Sequence, residues 1–152
     1  MDGLLFALTF LAALGSGLIG GLFFAFSAFV MSALGRLPPA GGISAMQSIN
    51  VAVLNPLFFT AFFGTAALCI LLAIAAFAGW SRPGAIYLLA GSLLYLVGTV
   101  LVTIVFNVPL NNQLAAVKAD SAAAASVWTR YLSDWTAWNH VRTVASLAAA
   151  AA

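Results

Sequence analysis

The sequence predicts an all-α protein, an integral-membrane four-helix bundle with short interfacial helices in its third loop. Composition is the first reason: of 152 residues, 64% are hydrophobic and only 5% charged, against roughly 45–50% and 25% in an ordinary soluble domain. The second is that four apolar segments of helical length account for most of the chain. The third is that prolines, glycines and asparagines mark the gaps between them. A water-soluble enzyme is excluded by that balance.

The first span is expected at about 4–30, with Pro38-Pro39 closing any helix that runs beyond it. Met1-Asp2-Gly3 lacks the positive n-region of a secretory leader, so this span is expected to be retained as an anchor. The second span, 56–78, is about 23 residues or ~35 Å, enough to cross ~30 Å of hydrocarbon. Helical character begins earlier, near Ile43, and one straight helix from there to Ala78 would exceed any bilayer, so the chain is expected to break at Pro56. Asn50, Asn55 or water then supplies the backbone partners that the proline removes. The turn Gly79-Trp80-Ser81-Arg82-Pro83-Gly84 ends the second span, and the third, 85–106, is expected to stop at Asn107-Val108-Pro109. The fourth, 135–152, has Asp134 as a candidate N-cap. Between them, the segment at about 112–133 repeats Leu114, Val117, Val127, Trp128, Tyr131 and Leu132 near helical spacing, with Asp120 or Ser121 as caps, which reads as one or two interfacial helices. The whole chain, 1–152, is one transmembrane domain on this reading, the alternative being three spans plus a short re-entrant or interfacial fourth helix.

Four alternating spans place the end of the first, the start of the second, the end of the third and the start of the fourth at one membrane face. Gln47, Asn50, Asn55, Asn107, Asn111, Asn112, Asn139, His140 and Arg142 all fall near that face. It also carries Arg36, Lys118 and Arg130, against Arg82 alone in the opposite turn, so loops 1 and 3 are expected to be cytoplasmic and both termini outside. A bacterial inner membrane is the matching location. Ala13, Gly17, Gly21 and Ala25 recur every four residues, a small-residue face for close helix packing within the chain or in a homo-oligomer.

Several chemistries are excluded by inventory. A formal charge of +2 is too small and scattered for nucleic acid. Cys69 is the one cysteine, so no disulfide forms within the chain, and its apolar neighbours make it a small packed hydrophobe. One His, one distant Cys and three Asp supply no metal set, and no phosphate loop or nucleophile elbow is present. No metal or cofactor is therefore expected.

Ionisable groups at membrane depth are functional candidates by default. His140 is the single imidazole, and it follows Asn139 by about 100° of helix rotation, whereas Asn139 and Arg142 share a face. The plainer alternatives are that His140 bonds a neighbouring carbonyl and that Arg142 snorkels or holds loop 3. Trp128, Tyr131, Trp135 and Trp138 form either an interfacial aromatic belt or a flat wall for a planar ligand.

Five strings carry a resemblance: Phe23-Phe24-Ala25-Phe26-Ser27, Met46-Gln47-Ser48-Ile49-Asn50, Phe63-Gly64-Thr65, Asn107-Val108-Pro109-Leu110-Asn111, and Trp135-Thr136-Ala137-Trp138-Asn139-His140-Val141-Arg142-Thr143. Together they resemble the DUF1772 family of small membrane proteins, which includes the fungal anthrone oxygenases. The resemblance implies oxidation of an anthrone-like phenolic by O₂ without metal or flavin, so the partners are a lipophilic aromatic molecule, O₂ and the bilayer. It implies His140 as the base that takes the benzylic proton. Asn107, Asn111, Asn50, Asn139 or Arg142 then stabilises the enolate oxygen. A mouth bordered by Trp135, Trp138 and Phe24, with Gln47, Trp128 and Tyr131 nearby, would admit the flat substrate. The alternative is a non-enzymatic membrane protein, an assembly partner or a binder of a lipophilic ligand such as a quinone, whose polar residues form a structural plug.

Overall fold

In the computed structural model, which describes residues 3–152, every regular element is helical. Met1 and Asp2, on which the retained-anchor reading partly rests, lie outside the described residues. Helix α1 is Gly3–Gly35, α2 Pro39–Ala52, α3 Pro56–Ala78, α4 Ala85–Ala115 and α5 Ala124–Ala151. Three of them, α1, α3 and α4, are long and apolar enough to cross a membrane, so the chain reads as a membrane protein.

Proline chemistry sets two boundaries as expected. Pro39 opens α2 behind an extended Pro38 (φ −51°, ψ 143°), so the pair ends α1 and starts α2 about one turn before Ile43. Pro56 opens α3, where a missing N–H leaves no helix bond unmade. Asn55 caps that end: its Oδ1 accepts from the Phe58 N–H at 3.0 Å and its Nδ2 donates to the Ala52 carbonyl at 2.9 Å.

Pro109 behaves differently. Instead of stopping before it, α4 continues to Ala115, with Val108 held helical at φ −62°, ψ −45°. Two π-helical stretches precede it, Leu94–Leu101 and Thr103–Asn107, the second ending where the Val108 N–H donates to the Thr103 carbonyl. A turn widened to i→i+5 opens the space that the proline ring needs one turn back. A third π turn, Phe26–Val30, lies inside α1.

The expected interfacial segment and fourth span also merge. Residues 116–123 form turns, and α5 then runs unbroken from Ala124. Its N-cap is Ala123, without a side-chain bond, so Asp120 and Ser121 do not cap it. Asp134 is inside the helix and pairs with exposed Arg130 at 3.2 Å. The reason is packing: Trp128, Tyr131 and Trp135 are spaced by three and four residues, and one continuous helix buries all three on the same stripe.

Helix α1 packs against α3 and α5, α4 packs against the same two, and α2 packs against the ends of α4 and α5. Two cores result. One joins Met31, Ile43, Met46 and Leu114 to Trp128, Tyr131 and Trp135; the other joins Ile19, Phe23, Phe62, Cys69 and Tyr95. Close packing of α1 uses Gly20, where a Cβ would meet the Leu147 side chain at 2.8 Å, and Gly15, which abuts Thr65. Gly21 faces open space and Gly17 only grazes Ala150, so the tight contact is rotated from the small-residue face expected at Gly17 and Gly21.

Candidate functional site

Continuing the buried stripe of α5 beyond Trp135 leads to Asn139, Arg142, Thr143 and Ser146, all buried. Arg142 is 4% exposed. Its guanidinium carbon lies 4.1 Å from the centroid of the Phe23 ring and 5.0 Å from that of Trp135, so two aromatic faces enclose the cation. One terminal nitrogen donates to Asn139 Oδ1 at 2.8 Å and the other to Thr103 Oγ1 at 3.2 Å, while Nε is buried and unpaired. Among the described residues no carboxylate pairs with it; Asp134, on the same helix, pairs with Arg130 at the surface instead. A buried charge without a counter-charge is costly unless something of opposite sign comes to it.

The neighbouring helices bring polar groups from their π turns and, in α1, from the turn just before. From α1, the Phe23 carbonyl and Ser27 Oγ each accept from Asn139 Nδ2 at 2.8 Å, and Ser27 also contacts Thr143 Oγ1 at 3.0 Å. From α4, Thr103 and Asn107 occupy the π turn that precedes Pro109. Asn107 is 1% exposed; its Nδ2 donates to the Trp135 carbonyl at 3.2 Å and its Oδ1 is unpaired. Trp135 Nε1 and Thr136 Oγ1 are likewise buried and unpaired. Buried, unpaired polar atoms on Arg142, Trp135 and Asn107 beside aromatic surface make this cluster the candidate site.

Toward the start of α5 the rings continue as a column, Trp128 to Tyr131 at 5.8 Å and Tyr131 to Trp135 at 5.9 Å, both stacked. The Tyr131 hydroxyl donates to Asn111 Oδ1 at 2.8 Å, with Asn50 beside it.

Sequence reasoning is met in part. Asn107, Asn139, Arg142 and Trp135 come together; Asn111, Asn50, Tyr131 and Trp128 form the adjoining layer. Gln47 is a tie, its Nε2 donating to the carbonyls of Leu114 at 2.8 Å and Val117 at 3.0 Å. Two placements differ from expectation. His140 is exposed, turned away from the buried stripe, because a helix that buries Asn139 and Arg142 must carry the residue after Asn139 around the other side. Phe24 is 55% exposed, and its neighbour Phe23 takes the place against Arg142. Trp138 is half-buried and stacks on Phe106, with centroids 3.5 Å apart. Thr103, Phe23 and Ser27 take part without being site candidates in the sequence, although Phe23 and Ser27 belong to the first of the strings that carry the resemblance. Thr103 precedes Asn107 by four residues and so shares its face, a spacing that marks it.

The sequence profile described as anthrone oxygenase matches residues 58–152, well over half the chain. The protein belongs to the anthrone oxygenase family. The region matched by this family includes Thr103, Asn107, Trp135, Asn139 and Arg142, whereas Phe23 and Ser27 lie before it. No curated protein and no solved structure matches the chain.

Proposed function

We propose that this member of the anthrone oxygenase family oxidises a lipophilic, weakly acidic aromatic of anthrone type with O₂, and that Arg142 holds the substrate as its anion. The observation that carries the reading is a guanidinium 4% exposed, with no carboxylate partner among the described residues. Such a cation favours the deprotonated form of a bound phenol or enol, each pKa unit being worth about 1.4 kcal/mol. Asn139 orients the fork from below, and Trp135 and Phe23 supply flat apolar walls.

The reaction balances with O₂ as the sole oxidant. Loss of one proton from the CH₂ group gives the carbanion-enolate. One electron passes to O₂, the radicals join in a C–O bond, and the peroxide takes up a proton. Loss of the second C–H proton then breaks the O–O bond and leaves a ketone and water. This chain's residues stabilise the enolate oxygen and the peroxide anion, each donor being worth about 3 kcal/mol when aimed at the charge. His140, on the exposed side, is not positioned to take the first proton, so solvent at the entrance is assigned that step.

The reading includes a fourth crossing by α5, hence a four-helix bundle with loops 1 and 3 cytoplasmic. Accessibility of a cysteine placed at each terminus of intact inverted and right-side-out vesicles tests it: both termini label from one side.

One observation favours a second reading. Gln47, Asn55 and Asn139 all donate to backbone carbonyls, as structural ties do, which suits a non-enzymatic binder or assembly partner. Incubating purified protein in detergent with anthrone, with and without O₂, separates the two. The oxygenase gives O₂-dependent quinone absorbance that is lost in Arg142→Ala with helicity retained; the structural tie gives none.

A further inference from the structure

The seam between α4 and α5 has an inner and an outer side. On the inner side Thr103 meets Arg142 and Asn107 meets the Trp135 carbonyl. On the outer side, between those two contacts along the helices, Phe106 stacks on Trp138 with ring planes 8° apart and centroids separated by 3.5 Å. This is closer to a face-to-face sandwich than the offset or edge-on pairings that ring quadrupoles favour. The pair borders an open groove of about 400 Å³ lined also by Pro109, Leu110, Arg130 and Asp134. A second hollow of about 350 Å³ shares Leu110 and Arg130 and reaches Tyr131, so the groove follows the seam toward the aromatic column. Trp138 precedes Arg142 by four residues, about 6 Å along the helix.

We infer that the Phe106–Trp138 pair is the entry point and size filter of the anion site: a planar fused-ring aromatic arrives along the α4–α5 groove, replaces the ring-on-ring contact with its own faces, and so places its oxygen within reach of Arg142. A fused planar system overlaps the indole and phenyl faces more fully than a single ring does, so the pair favours fused systems. Phe106 lies in the same π turn as Thr103 and Asn107, so parting the rings moves the two α4 side chains that close the inner side. The inference rests on the anion-site reading given above and adds the route by which the substrate enters and the two rings that form it.

Binding of a hydroxyanthraquinone, followed by its visible absorbance, tests this in the full chain in detergent, with phenol as the single-ring comparison. Wild type is expected to bind the tricycle. Trp138→Ala should weaken it roughly 3- to 10-fold, the worth of one stacked face, and leave phenol binding unchanged. Trp138→Phe should restore most of the loss, and Phe106→Leu should reproduce it, which guards against a single misfolded variant. If Arg142→Ala removes tricycle binding while Trp138→Ala and Phe106→Leu do not, the route is wrong and the anion site stands. If the two ring variants weaken the tricycle selectively but no quinone forms from anthrone and O₂, the route stands and the oxygenase reading falls. A wild-type chain that binds no tricycle overturns the inference.

Discussion

The two halves of the interior treat buried polar groups in opposite ways. Around the second core, Thr99 and Ser146 share a hydroxyl contact at 2.7 Å, the Tyr95 hydroxyl donates to the Phe62 carbonyl at 3.0 Å, and Ser92 donates to the Leu88 carbonyl at 2.7 Å. Near the start and middle of α5, by contrast, Trp128 Nε1, Trp135 Nε1, Thr136 Oγ1, Arg142 Nε and Asn107 Oδ1 are all buried without partners. In a bilayer an unmade hydrogen bond costs more than in water, so these five atoms, spread along α5 and the facing turn of α4, mark this half as the less fully satisfied. The difference separates ties from candidate ligand contacts: paired hydroxyls hold the second core, whereas on the proposed reading the free atoms of Asn107, Trp135 and Arg142 are those a ligand meets.

The largest expected effect breaks the second half alone. Arg142→Ala should reduce anthrone oxidation by about 10²-fold or more, the loss of a charge-stabilising donor set. Arg142→Lys should fall between, because ammonium keeps the charge but cannot fork to Asn139 and Thr103 together. Quinone formation under air, normalised to folded protein, measures both.

Next in size is Asn139→Leu. It removes the donor shared by the Phe23 carbonyl and Ser27 and strands the Arg142 nitrogen, so thermal unfolding in detergent should show a loss of about 2–4 kcal/mol. A smaller and purely steric effect is expected of Gly42→Ala. Its Cβ would stand 2.7 Å from the Trp128 ring, a rigid neighbour, and overpacking of this kind costs about 1–3 kcal/mol. Gly21→Ala, which faces open space, should be silent in the same assay.

In the hydroxyl-locked half the expected signature is non-additivity. Thr99→Val alone leaves Ser146 unpaired and should cost about 1–2 kcal/mol, whereas Thr99→Val with Ser146→Ala should recover most of it. The same cycle on Asn107 and Trp135 should show no such recovery of function, because on the proposed reading their free atoms serve a ligand and not each other.

These contrasts also mark what the amino-acid sequence discloses. Helix α3 is legible to the residue, since Pro56, Asn55 and the Gly79 turn state its ends in local chemistry. The gathering of Asn107, Asn139 and Arg142 is legible too, because alternating helices place their polar ends together. Pro109 is misleading, since the π turn that accommodates it depends on packing against α5 and has no mark of its own in the residues. The aromatic stripe of α5 is read as a separate interfacial helix for a related reason: only burial against Ile43, Met46 and Leu114 makes it one helix with Arg142. The rotation of α5 is what sequence arithmetic leaves open. Asn139 and Arg142 were bound to share a face, but whether His140 joined them depended on how far a cavity wrapped the helix.

That rotation gives the smallest expected effect and the sharpest test of the contrast between exposed and buried polar groups. His140 is exposed and makes no hydrogen bond within the chain, so His140→Gln should change thermal stability by less than about 0.5 kcal/mol, the range of ordinary surface substitutions. With deprotonation left to solvent and anion stabilisation to Arg142, kcat/KM for anthrone should fall by less than about twofold. A loss of 10²-fold with stability intact would instead make the imidazole the general base, working from the outer side of α5. The anion would then form before the substrate passes the seam, and Arg142 would receive a charge already made.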